Sequence, residues 1–116
     1  MSRDPSVVLA DVLECAGRIA DYVSGLGFEE FSLNTMAQDA VLRNLEVIGE
    51  AVKRVPDEWR GRAPDVPWRD IAGLRDHLIH EYPRVDLAIV WDVVVNEVPS
   101  LAEAIEALLE KDAEDE

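Results

Sequence analysis

Apolar residues recur at three- and four-residue intervals along most of the chain, and no stretch keeps the strict alternation of a half-buried strand. Asn-Gly and Asp-Gly hairpin pairs are absent, so the pattern predicts an all-α fold. Asp4-Pro5 marks a first helix, with Asp as N-cap and Pro in the first turn. Val8, Val12, Ile19 and Val23, flanked by Leu9, Ala16 and Ala20, form its apolar stripe, with Cys15 at the edge as a small packing residue. Gly25-Leu26-Gly27 supplies the stop.

A second helix is expected to start at Ser32 or Asn34 and to run to about Val55, where Pro56 ends it. Val41, Leu45, Ile48, Val52 and Val55 are its core face; Arg43, Asn44, Glu46, Glu50 and Lys53 read as lying off that stripe. Residues 56–67 hold three prolines and a glycine and read as a loop without regular helix, pinned by Trp59 and Trp68. A third helix should begin at Pro67 or Trp68 and end near His80 or Glu81, because Pro83 disfavours helical dihedrals at Tyr82. The last runs from Asp86 through Leu87, Val90, Trp91, Val94, Val98, Leu101, Ile105, Leu108 and Leu109, and should be kinked or split at Pro99. Four or five such helices with short connections predict an antiparallel bundle.

Composition narrows the function classes. The 116 residues suffice for one domain, residues 1–116, with the acidic segment from about 110 to 116 expected to fray. No apolar run approaches the roughly 20 residues of a membrane span, and Met1-Ser-Arg-Asp-Pro5 has no signal-peptide pattern, so a cytoplasmic protein is expected. One cysteine excludes an internal disulfide, and no cluster suggests a metal site or a cofactor. The net charge of −14 argues against a protein that coats nucleic acid, but not against a nuclease with a small basic site.

Candidate chemistry concentrates in Arg75-Asp-His-Leu-Ile-His80-Glu-Tyr82, which holds both histidines of the chain. Histidine can take or give a proton near neutral pH, and arginine matches phosphate oxygens two at a time. Cleavage of a phosphodiester needs such a pair. At about 3.6 residues per turn, Ile71, Leu74, Leu78 and Tyr82 share one side of the third helix, with Asp76 and His80 opposite. Asp76 is then placed to orient His80, and His80 points to solvent or to a second subunit. The residues alone leave ordinary surface ion pairs as an open alternative. Arg43, Asn44 and Glu50 are candidates for a polar wall beside this site.

Ala40-Val-Leu-Arg-Asn-Leu-Glu-Val-Ile-Gly-Glu-Ala51, Pro67-Trp-Arg-Asp-Ile-Ala-Gly-Leu74 running into the Arg75–Tyr82 segment, Val85-Asp-Leu-Ala-Ile-Val-Trp91 and Val98-Pro-Ser-Leu101 follow one another in order. Together they resemble the HepT-type toxins of the HEPN superfamily, over residues from about 5 to 110. The resemblance implies an all-α bundle that dimerises through the Arg75–Tyr82 region and cleaves RNA without a metal. By position it implies Arg75 and His80 as catalytic residues and Tyr82 as the tyrosine that a minimal nucleotidyltransferase antitoxin (MntA) modifies with AMP, in a type VII-like toxin–antitoxin pair. Such toxins commonly carry Asn where this chain has Asp76, which adds negative charge beside the RNA phosphate. Two other readings compete. One is a non-catalytic helical module that holds a nucleotidyltransferase partner; the other is a metal enzyme using Glu46, Glu50 and Asp76.

Overall fold

The computed structural model describes residues 4–74, 76 and 85–115. Every regular element among them is helical. Helix α1 spans Pro5–Val23, α2 Phe28–Leu33, α3 Thr35–Val52, α4 Asp57–Arg60 and α5 Trp68–Ala72. Helix α6, Leu87–Asp92, runs through a π-turn at Val93–Glu97 into α7, Val98–Glu114.

The helix starts follow local chemistry. The Asp4 carboxylate accepts from the Ser6 N–H at 2.8 Å, while Pro5, with no N–H to satisfy, takes the first turn. The same hydrogen bonds, from the Ser6 hydroxyl and then its backbone, hold the Asp4 carboxyl below its ordinary value. Asn34 caps α3 by accepting from Ala37 N–H at 2.9 Å, and Asp86 caps α6 by accepting from Ala88 N–H at 2.9 Å. After α1 the chain turns at Gly25, whose φ of 78° lies in the left-handed region that glycine adopts without strain.

Helix α1 packs most extensively on α3 and also on α7, while α5 lies against α3 and α2 reaches α6. The core takes Leu9, Val12 and Ile19 from α1 and Val41, Leu45, Ile48 and Val52 from α3. Ile105 comes from α7. Phe31 is fully buried with its ring centroid 5.1 Å from that of Trp91, so a six-residue helix ties the start of the C-terminal rod to the body. Cys15 is a buried packing residue; burial pushes its thiol up, outweighing Arg18, so it stays protonated at neutral pH.

Two features differ from the reading of the sequence. Residues 28–33, expected to precede the second helix, form α2, with Glu30 accepting from the Gly27 N–H at 2.8 Å. The loop at 56–67 contains one helical turn, Asp57–Arg60, with Pro56 as its N-cap, and the preceding helix has already ended at Val52 rather than near Val55. The last helix is divided, as expected, by a π-turn that leads up to Pro99. Directly ahead of it the Val98 N–H bonds the Val93 carbonyl, five residues back, and helical dihedrals continue across both ends of the π-turn. The wider turn takes up the missing Pro99 donor and keeps Val90, Val94 and Val98 on one buried side. Helix α7 extends through the acidic segment as far as Glu114, and Asp112 meets Arg62 at 3.7 Å.

The Phe31 contact is the most local of the core contacts to test. Phe31→Ala should lower unfolding free energy by about 3–5 kcal/mol, the range for deleting a buried aromatic ring. Urea denaturation followed by circular dichroism measures it, and a loss below about 1 kcal/mol would show that α2 does not anchor the C-terminal rod.

Candidate active site

Trp68 begins α5 and is 6% exposed; its indole N–H donates to the Ala63 carbonyl at 3.0 Å, and its own backbone N–H to Val66 at 2.8 Å. This anchor is one of the two expected for the loop. Ile71, Ala72 and Leu74 pack half-buried against the core, which agrees with the side assigned to Ile71 and Leu74. Gly73 ends α5 with φ −80° and ψ −9°, and the chain is helical again at Leu74 and Asp76. Arg75, His80 and Tyr82 lie outside the described residues, as does the expected end of this helix.

Asp76 is exposed, and its carboxylate lies 3.7 Å from the Lys53 ammonium at the C-terminal end of α3. The same ammonium is 3.7 Å from Glu50, so one lysine stands between the two carboxylates. The sequence reading placed Lys53 off the core stripe of its helix and named no partner for it on another helix. No short-range signal links positions 53 and 76; only the packing of α5 on α3 brings them together.

Two further groups hold this end of α3. Arg60 donates from Nε to the Val55 carbonyl, just past α3, at 3.0 Å and from Nη2 at 2.9 Å to the Val52 carbonyl, which also accepts from the Val55 N–H. Arg62 lies with its guanidinium 4.8 Å from the Trp59 ring centroid, which keeps the following loop against the body.

The candidate wall residues separate. Arg43 and Glu50 line a polar cleft of about 270 Å³ with Asp11, Glu46 and Arg54. Asn44 is 7% exposed and donates from Nδ2 to the Ala40 carbonyl at 2.9 Å. It follows Val41 by three residues and precedes Ile48 by four, so it belongs to the buried side of α3 rather than off it. The hydrogen bond offsets the cost of burying its amide. Among the described residues, no three His, Cys, Asp or Glu side chains converge as metal ligands, so Glu46, Glu50 and Asp76 form no such set.

The profile of a family described as "Ribonuclease HepT-like" matches residues 12–108, a stretch that includes the whole Arg75–Tyr82 segment. The chain belongs to that family. A Methanocaldococcus jannaschii protein provisionally named an RNase is 43% identical over 98% of this chain and 93% of its own length. One from Caldanaerobacter subterraneus subsp. tengcongensis, also provisionally named an RNase, is 38% identical over 95% of this chain and 98% of its own. A third, from Thermococcus cleftensis, provisionally named ribonuclease HepT, is 38% identical over 93% and 98%. No solved structure matches the chain. No helix among the described residues is long and apolar enough to cross a membrane.

Arg60 makes a direct check of how the α3 end is held. Arg60→Ala removes two charge-assisted hydrogen bonds and should cost about 1.5–3 kcal/mol of stability. Arg60→Lys, unable to serve both carbonyls in the same fork, should recover less than half of the loss in thermal denaturation.

Proposed function

We propose that the chain is a metal-independent endoribonuclease, the toxin of a type VII-like toxin–antitoxin pair. The observation that carries this reading is Arg75-x4-His80-x-Tyr82 inside a chain of the ribonuclease HepT-like family, whose relatives are provisionally named RNases. Arginine and histidine at this spacing supply the two functions that RNA cleavage requires, a fixed cation for the phosphate and a group that moves protons near neutral pH.

In this mechanism His80 takes the proton of a ribose 2′-hydroxyl, and the 2′-oxygen attacks the adjacent phosphorus. The bond from phosphorus to the 5′-oxygen breaks, and that oxygen receives a proton from the histidine of a second subunit. Arg75 stabilises the charge that builds on the non-bridging oxygens. Asp76 orients the His80 ring. The products are a 2′,3′-cyclic phosphate and a 5′-hydroxyl, and DNA is inert because it has no 2′-hydroxyl. The subunits pair through the Arg75–Tyr82 region, which makes one composite cleft.

Tyr82 is the point of control. A nucleotidyltransferase antitoxin transfers AMP from ATP: the phenol oxygen attacks the α-phosphorus, pyrophosphate leaves and the phenolic proton is released. The attached AMP places a bulky anion two residues from His80 and blocks phosphate entry by charge and size.

Total cellular RNA, incubated with the purified unmodified protein in EDTA, should be cut to fragments with cyclic-phosphate ends. His80→Ala should slow the reaction by about 100-fold or more, the range for removing a general acid–base group, and Arg75→Ala comparably. If the wild type leaves RNA intact, and intact mass shows no AMP on Tyr82, the ribonuclease reading fails and the nucleotidyltransferase-binding module replaces it.

A further inference from the structure

From the contact between α3 and residue 76 we infer that Lys53 is a positioning residue for the Arg75–His80 motif, with its ammonium setting the charge that Asp76 presents to the RNA. The inference rests on the ribonuclease reading above. Asp76 follows Arg75 directly in the chain, so its carboxylate belongs to the same short segment as the cation that must receive an anionic phosphate. A carboxylate in that segment lowers the positive potential that an approaching phosphate meets. Lys53 counters this effect, because its ammonium lies 3.7 Å from the Asp76 carboxylate.

The geometry supports a role in setting charge rather than in holding the fold. The Asp76 side chain is 61% exposed and that of Lys53 38%, and solvent-exposed pairs of this kind contribute little to stability. Lys53 also lies 3.7 Å from Glu50, and Glu50 lines the polar cleft on α3, so the ammonium is held between two carboxylates on separate elements. It comes from a long helix whose end is closed by Arg60, which gives the lysine stem a fixed base. An exposed lysine with no such arrangement would sample many rotamers and screen Asp76 only part of the time.

A double-mutant cycle on RNA cleavage tests this. Lys53→Met should reduce kcat/KM about fivefold when Asp76 is present and leave it unchanged when Asp76 is Asn. Lys53→Arg should keep the wild-type rate. The fivefold loss should shrink to less than about twofold at 1 M salt, where charges are screened within about 3 Å. Arg18→Met removes a cation from the exposed Arg18–Glu14 pair on α1 and should leave cleavage unchanged, separating a local effect from overall charge. An equal loss from Lys53→Met in both Asp76 backgrounds, or no loss in either, overturns the role of Lys53 while the ribonuclease reading stands. An inactive wild type overturns both.

Discussion

The face between α1 and α3 is the constraint on which the rest of the structure depends. Among the described elements these two long helices share the largest contact, and each brings its most deeply buried side chains to the core. Leu9, Val12 and Ile19 on one and Val41, Leu45, Ile48 and Val52 on the other are excluded from water almost completely. Burying such side chains contributes roughly 1.5–3 kcal/mol each before ordering entropy is subtracted, so this face outweighs the surface ion pairs. It also leaves the opposite side of α3 free to carry charge. Arg43, Glu46, Glu50 and Lys53 lie there because the core has claimed the other positions.

Function is mounted on that frame in a particular way. Helix α5 lies against α3, and its start is fixed by the buried Trp68 ring and the indole hydrogen bond to Ala63. Lys53 reaches Asp76 from the end of α3, so the electrostatics of the motif are shared between two elements. A strongly acidic chain that handles RNA must concentrate its positive charge where phosphate meets it. Drawing one lysine from a neighbouring helix is an economical way to do so.

The C-terminal rod shows how a local defect is absorbed. Pro99 cannot donate to a helical ladder, and the chain answers with a π-turn just ahead of it. The rod stays continuous, with Val90, Val94, Val98, Leu101, Ile105 and Leu108 all turned inward. Trp91 sits on the same rod beside Phe31 and Phe28, so α2 closes over its start.

Local chemistry made much of this legible in the sequence. Asp4-Pro5, Asn34, Asp86 and Trp68 announce helix starts because capping depends on neighbours within three residues. The three- and four-residue repeats announce an all-α fold and most of the buried positions, and ordered motifs announce the family. Tertiary structure decided the rest. Helix α2 is too short to show a period and exists because Phe31 finds Trp91. Asn44 is buried because the apolar side of α3 is wider than one row of side chains, and an amide can satisfy itself on Ala40. The π-turn depends on which residues the core requires on both sides of Pro99. The Lys53–Asp76 pair was hidden for the same reason: an ion pair between helices is set by how they pack, and no periodicity along a single helix records it.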